Sequence, residues 1–189
     1  MIEPERLSNL TAILQKGGVI LYPTDTLWAL GCDATNPGAV GKLLGLKKIV
    51  RPNGLVLLAD SVEMIMQYTD NIPPRIDSLL MYHNRPLSVI YEKGINLPEA
   101  LLGKDGSVAI RLCRDQFVQL LISSIGKPLV ATGACEGYEP MPGHFGNISS
   151  NILEAVDGIA AFRRDDREMR EPSQLVCLDE NGDLKFIRD

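Results

Sequence analysis

Apolar runs of strand length alternate with amphipathic segments of helix length along the chain. The runs Val19–Tyr22 and Leu129–Thr132 are typical of buried strands, whereas Leu7, Leu10 and Leu14 recur at helical spacing. We predict strands at 19–22, 55–58, 87–91, 108–112, 129–132, 175–178 and 184–187, and helices after Pro4, Asn36, Ser61, Asp115 and Ser149. This alternation predicts an α/β fold with a twisted mixed sheet and flanking helices.

Local signals mark where these helices begin and end. Gly17-Gly18 ends the first helix, and Asn36-Pro37 places a capping side chain before a proline in the first helical position. Asp115 caps a later helix, which Gly126 closes. The last two strands are joined by Asp-Glu-Asn-Gly at 179–182, a reasonable hairpin turn.

Composition indicates a globular chain with its own core. The 189 residues are 45% hydrophobic and 23% charged, which predicts one domain over residues 1–189. The net charge of -5 argues against a surface that binds nucleic acid throughout, but it allows one local basic cleft. Charges of both signs mix at 163–171, which favours a solvated crossover over a binding patch.

The four cysteines are widely spaced and form no C-x-x-C pair, which excludes the usual zinc and thioredoxin-like sites. Free cysteines beside apolar runs suggest a reducing compartment. The N-terminal residues show no secretory signal, and the apolar runs are shorter than the roughly 20 residues that cross a bilayer. We therefore expect a cytoplasmic protein without a membrane segment.

Polar residues follow the first predicted strand directly, as Thr24-Asp25-Thr26. In open α/β sheets such loops hold ligands in the crevice beyond the strand ends. The same residue types also satisfy loop backbone groups in Asx and ST turns. These residues alone favour neither interpretation.

Cations follow the second predicted helix, at Lys47, Lys48 and Arg51. Favourable charge at the helix C-terminus explains them, and a polyphosphate site is the less favoured alternative. A third strand end, Thr132 to Cys135, consists of small residues that allow a ligand to approach the backbone closely. The absence of G-x-x-x-x-G-K-[ST] and G-x-G-x-x-G excludes ordinary P-loop and Rossmann sites.

A charged residue, Arg111, lies within a predicted buried strand. Its guanidinium needs a carboxylate partner, from the protein or from a ligand. Other chemical candidates are weaker. His83 and His144 lie far apart with no evident catalytic triad, and Cys135 is favoured as a small residue over a nucleophile.

Several motifs, in order, resemble those of the YrdC-like family, the L-threonylcarbamoyladenylate synthases. They are Gly18 to Asp33, Leu46-Lys47-Lys48, Pro86 to Ile90, Gly106 to Arg111, Lys127 to Thr132, Pro172-Ser173 and Ile187-Arg188. The resemblance covers nearly the whole chain and implies a twisted α/β fold with a large concave, basic cleft. The family condenses L-threonine, bicarbonate and ATP into threonylcarbamoyl-AMP and pyrophosphate, and partner proteins transfer the product to tRNA. It is also described as binding double-stranded RNA.

The resemblance also implies which residues contact the substrates. The threonine contacts are Thr26, Ser173 and Arg111, whose guanidinium would hold the substrate carboxylate. The nucleotide positions are Ser107, Thr132, Arg188 and Lys47, which would lie near the triphosphate. A Mg²⁺ ion bridging the phosphates is an expectation, although the sequence shows no metal cage. We expect Lys47, Lys48, Arg51, Arg111 and Arg188 to converge on one basic cleft, in a catalytic domain without the C-terminal extension of longer relatives.

Two family elements are altered. The K-x-R element reads Lys47-Lys48-Ile49, so we expect Arg51 to replace the missing arginine and to act with Lys47 as a catalytic group. The S-x-N element reads Gly133-Ala134-Cys135, which removes a hydroxyl and an amide from nucleotide-binding positions. The first hypothesis is an active threonylcarbamoyl-AMP synthase with a rearranged nucleotide pocket. The alternative is a catalytically weak or silent paralogue that binds RNA, a nucleotide or a protein partner.

Overall fold

A single mixed sheet forms the framework of the fold. The computed structural model describes residues 4–48, 55–137, 139–168 and 170–188. Its strands are β1 (Ile20–Pro23), β2 (Trp28–Gly31), β3 (Val56–Ala59), β4 (Leu87–Tyr91), β5 (Val108–Leu112), β6 (Leu129–Gly133), β7 (Gly158–Ile159), β8 (Gln174–Leu178) and β9 (Leu184–Arg188). They are ordered β7-β1-β2-β6-β3-β5-β4-β8-β9, with parallel pairing at β1–β7, β3–β5 and β4–β8. The predicted α/β fold with a mixed sheet is confirmed.

Helices flank this sheet, and all but one of them begin where local sequence signals predict a helix. They are α1 (Pro4–Gln15), α2 (Pro37–Lys47), α3 (Val62–Ile65), α4 (Pro74–Tyr82), α5 (Gln116–Ile125) and α6 (Ser150–Ala155), with short 3-10 turns at Glu99–Leu101 and Phe145–Asn147. The Asn36 side chain accepts hydrogen bonds from the N–H groups of residues 38 and 39, and Asp115 accepts from those of residues 117 and 118. Gly126, with φ of +64°, adopts the left-handed conformation that closes α5.

Three elements were not predicted from the sequence: β2, α4 and β7. Strand β2 is a short, fully buried run directly after a polar loop, and β7 is a two-residue strand that pairs with β1. Helix α4 begins at the second of two consecutive prolines, which the sequence pattern treats as loop residues. The predicted helix at Ser61 to Tyr68 is shorter than expected, because α3 ends at Ile65.

Apolar side chains from both faces of the sheet bury one continuous core. Leu21, Leu57 and Ile110 come from the strands, while Leu14 of α1 and Leu121 of α5 cover them. Helices α1 and α5 pack together, and the hydroxyls of Thr11 and Ser124 share a hydrogen bond of 2.8 Å. Within the described residues, no helix combines the length and apolar character needed to cross a bilayer.

Candidate functional site

One face of the sheet forms the floor of a cavity of about 330 Å³, here called the sheet cavity. Side chains alternate between the two faces of a strand, so residues two apart share a face. The floor residues follow this rule and come from β2, β3, β5 and β6: Ala29, Val56, Leu58, Ala109, Arg111, Ala131 and Gly133. Ala29 pairs with Gly133, Val56 with Ala131, and Leu58 with Arg111. The cavity therefore has an apolar end over β2 and β6 and a charged end over β5.

The loop between β1 and β2 closes the charged end. The hydroxyl of Thr24 donates to Leu27 O at 2.8 Å and accepts from Thr26 N–H at 3.1 Å, as in an ST turn. Asp25 and Thr26 instead reach Arg111. Both interpretations of this loop thus hold: Thr24 shapes the turn, Thr26 bonds to Arg111, and both residues line the cavity.

Arg111 is held by two neighbours, and one of its three guanidinium nitrogens has no partner among the described residues. The residue is only 3% exposed. Its Nη1 donates to Thr26 Oγ1 at 3.1 Å, and its Nη2 donates to Asp25 Oδ1 at 2.9 Å. Nε is buried and has no partner among the described residues. A buried guanidinium donor without an acceptor is costly unless a ligand supplies one.

A second guanidinium, that of Arg188, lies at the same end of the cavity. Its Nε donates to Ser173 O at 2.9 Å, and the Ser173 hydroxyl is 2.8 Å from that of Ser88. Burial and, less strongly, the nearby charge of Arg111 lower the pKa of Arg188. Two like charges brought together in a partly buried site favour an anionic ligand between or beside them.

The two lysines that end α2 do not line the sheet cavity. Lys47 is buried, and its Nζ donates to Gly133 O at 2.8 Å and to Cys135 O at 2.5 Å, with Cys135 Sγ at 3.4 Å. Lys48 forms an ion pair with Glu136. The expected convergence of all five cations on one cleft is therefore wrong for these two. Ile49 and Arg51 lie outside the described residues.

Of the predicted nucleotide positions, Ser107, Thr132, Gly133 and Arg188 line the cavity, whereas Lys47 and Cys135 are not among its lining residues. The Ser107 hydroxyl donates to Asp105 Oδ1 at 2.6 Å. Thr132 lies between the floor residues Ala131 and Gly133 on β6, so strand alternation places its side chain on the opposite face of the strand. All three predicted threonine contacts line the cavity: Thr26, Arg111 and Ser173.

Comparison with known proteins agrees with this architecture. A family model described as "Telomere recombination", for Sua5, YciO and YrdC, matches residues 12–189. The chain belongs to the Sua5/YciO/YrdC family. It is 36% identical over 141 residues to a protein from Stutzerimonas stutzeri named threonylcarbamoyl-AMP synthase, covering 74% of this chain and 76% of that protein. A protein of the same name from Xanthomonas euvesicatoria is 30% identical over 156 residues, covering 81% and 83%.

The crystal structure of P. abyssi Sua5 complexed with L-threonine has the same fold. It superposes with a TM-score of 0.87 at 20% sequence identity, covering 100% of this chain. This chain spans 55% of the Sua5 chain. At that identity, the likeness establishes the fold of this family member and not its ligands.

One residue at the site, Met141, is not evident from the sequence, and for another, Asp25, the sequence indicates the position but not the role. In the sequence Asp25 is only one residue of a polar loop, yet in the structure it is the carboxylate partner that Arg111 requires. Met141 lies in the loop after β6, and its side chain lines the apolar end of the cavity. The position of Asp25 directly beside Thr26 is a usable signal, whereas the residues around Met141 offer none.

The segment 163–171 is a crossover, as predicted, but its arginines are bonded to the protein and not simply solvated. Arg163 Nη1 donates to Asp115 Oδ2 at 2.5 Å and to Thr24 O at 3.3 Å. Arg170 Nη1 donates to Asp25 O at 3.5 Å. These bonds hold the loop between β1 and β2 from its outer side, which fixes the position of the cavity's charged end.

The described lining of the cavity contains no carboxylate, and no cluster of three or more His, Cys, Asp or Glu side chains suited to a metal occurs among the described residues. Mg²⁺ is usually held by one or two carboxylates together with substrate phosphates. The described lining of the cavity therefore offers Mg²⁺ no carboxylate ligand.

Proposed function

We propose that this chain is a threonylcarbamoyl-AMP synthase, a nucleotidyltransferase that forms threonylcarbamoyl-AMP and pyrophosphate from L-threonine, bicarbonate and ATP. The observation that carries the proposal is the unpartnered Arg111 Nε, buried beside the Arg188 guanidinium in a cavity of substrate size. The two relatives named threonylcarbamoyl-AMP synthase, at 30% and 36% identity, support the same assignment.

The charged end of the sheet cavity suits the amino acid. A free α-carboxylate would accept from Arg111 Nε, which removes the cost of leaving that donor unpaired. The hydroxyls of Thr26 and Ser173 line the same end and are suited to the polar groups of threonine. The same fold in P. abyssi Sua5 forms a complex with L-threonine, which is consistent with this role.

The other end of the cavity suits the nucleotide. Ser107 supplies a hydroxyl, and the floor over β2, β3 and β6 consists of small or apolar side chains. Threonine carbamate would attack the α-phosphorus of ATP through a carbamate oxygen, and the bond to the pyrophosphate oxygen would break. Charge develops on the phosphate oxygens during this step, so fixed cations and N–H donors provide most of the stabilisation.

Arg188 is the described cation best placed for this purpose, and Arg51 is proposed as a second one, in place of the arginine lost at residue 49. Lys47 is the remaining catalytic candidate, although its contacts make it a support of the loop after β6. Any Mg²⁺ would enter with the triphosphate as part of the substrate, because the described lining residues offer it no carboxylate.

The product would serve the modification of tRNA, which requires partner proteins that accept threonylcarbamoyl-AMP. A cytoplasmic location fits the substrates. Direct binding of tRNA or double-stranded RNA would have to use a local surface, because the net charge of -5 opposes general nucleic-acid binding.

The decisive experiment is pyrophosphate release from ATP by the purified chain, with threonine and bicarbonate added together and each omitted in turn. We expect release only when both are present. Folded protein that binds threonine and ATP but releases no pyrophosphate would support the alternative, a catalytically silent paralogue. Folded protein that binds neither ligand would overturn the assignment of the cavity itself.

A further inference from the structure

The Met141 side chain lies against Gly133 at the apolar end of the sheet cavity. A Cβ added to Gly133 would stand 3.0 Å from both Cγ and Sδ of Met141, closer than neighbouring atoms normally approach a Cβ. Both residues line the cavity. Met141 therefore occupies the space that a longer side chain at position 133 would need.

The start of the loop that carries Met141 is fixed in place. Lys47 Nζ donates to the carbonyls of Gly133 and Cys135, and Gly137 N–H donates to Lys47 O at 2.8 Å. Lys48 adds an ion pair with Glu136. These bonds tie residues 133 to 137 to the end of α2 and so fix the position of Gly133, against which Met141 packs.

The floor beside Met141 is flat and apolar. Ala29, Ala131 and Gly133 are adjacent on β2 and β6, and Val56 pairs with Ala131 on β3. Small side chains on a sheet allow a planar ring to lie close to the backbone. A methionine sulfur adjoining such a surface makes favourable contacts with aromatic rings. The base is the planar, aromatic part of a nucleotide.

We propose that Met141 is a specificity-determining residue of this cavity, whose thioether packs against the base of the nucleotide in the place of a polar side chain at position 133. The inference rests on the proposed function, which makes ATP a substrate. Gly133 has no side chain, and a thioether is at most a weak hydrogen-bond acceptor. This wall therefore recognises a flat purine by contact and distinguishes adenine poorly from guanine.

Calorimetric titration of ATP and GTP tests the proposal. The wild-type chain is expected to bind the two with affinities within about threefold of each other, and Met141→Ala to weaken both by about three- to tenfold, the range of a sulfur–aromatic contact. Threonine binding should change by less than about twofold, because Arg111 is untouched. Leu120→Ala is the matched control, since Leu120 is similarly exposed but lies on α5 away from the cavity lining.

A double-mutant cycle tests the contact itself. Gly133→Ser alone should weaken the binding of both ATP and GTP, because the Cβ of the new serine displaces the Met141 side chain. In the Met141→Ala background the same substitution should not weaken nucleotide binding any further, so the effects of the two substitutions on affinity are not additive. Additive effects, or a Met141→Ala variant that binds ATP as tightly as the wild type, would overturn the role of Met141 and leave the proposed function standing. A folded wild-type chain that binds neither ATP nor GTP would overturn both.

Discussion

Asp25 holds the Arg111 guanidinium from outside the sheet cavity. The Nη2–Oδ1 distance is 2.9 Å, and the Asp25 side chain is 25% exposed while that of Arg111 is 3% exposed. Asp25 lines two grooves on the outer side of the molecule, near Arg85 and Pro86, and is not part of the cavity lining. The pair thus separates the cavity from the outer grooves, with the cation on the inside and the carboxylate on the outside.

Asp25→Asn should weaken threonine binding by about three- to tenfold, because Arg111 loses a charge-assisted hydrogen bond that fixes its orientation. ATP affinity should stay within about twofold, since the change is confined to the charged end. Calorimetry with each ligand measures both effects, and Asp70→Asn, at an exposed site, serves as the control. Tighter threonine binding by Asp25→Asn would show that Asp25 competes with the substrate carboxylate and does not support Arg111.

Arg111→Ala should reduce threonine affinity by about a hundredfold or more, because the carboxylate loses a buried, charged hydrogen-bond donor. Arg111→Lys keeps the charge but not the fork, and should recover only part of that loss. ATP binding should be affected much less by either change. Equal losses for threonine and ATP in calorimetric titrations would contradict the assignment of Arg111 to the amino acid.

Elements with local signals were the ones that the sequence predicted correctly. Helices α2 and α5 carry their own capping residues, Asn36 and Asp115, and both form as predicted. Strand β7 carries no such signal, because pairing with β1 across more than a hundred intervening residues creates it. Tertiary contacts, not propensity, decide such elements.

The same distinction applies to the site. The residues carried over from the family resemblance at the charged end, Thr26, Arg111 and Ser173, all line one cavity. The environment of Lys47 was not predictable, because its acceptors are carbonyls of Gly133 and Cys135, far along the chain. A basic residue at the end of a helix has the same sequence pattern whether it faces a phosphate or a neighbouring loop.

A stability prediction concerns Asp157, which joins α2 to β1. Its Oδ2 accepts from Val19 N–H at 2.7 Å and from Lys42 Nζ at 2.6 Å. The hydrogen bond from Lys42 and, next, that from Val19 hold the pKa of Asp157 below its ordinary value of 3.8. Asp157→Asn should lower the free energy of unfolding by about 1 kcal/mol at neutral pH.

The pH dependence of that loss follows from the direction of the pKa shift. A carboxylate with a lowered pKa in the folded state stabilises the fold above its unfolded pKa, and this contribution disappears as the pH falls through the folded pKa. The difference in denaturant midpoint between wild type and Asp157→Asn should therefore be largest at neutral pH. It should shrink as the pH falls below 3.8, the ordinary pKa of an aspartate side chain. A difference that grows on acidification would contradict the assigned role of Asp157.

Substitution of Lys47 tests whether this residue stabilises the loop after β6 or binds the phosphates of ATP. Lys47→Met keeps the aliphatic stem but leaves the carbonyls of Gly133 and Cys135 without their donor, so the free energy of unfolding should fall by about 2 kcal/mol or more. Limited proteolysis should then cleave the loop after β6 faster than in the wild type, with Lys127→Met, an exposed lysine, as the control. In Lys47→Met, binding of ATP should weaken more than binding of threonine, and bound ATP should not restore resistance to the protease. A variant with wild-type stability and proteolysis but lost ATP binding would instead identify Lys47 as a direct phosphate ligand.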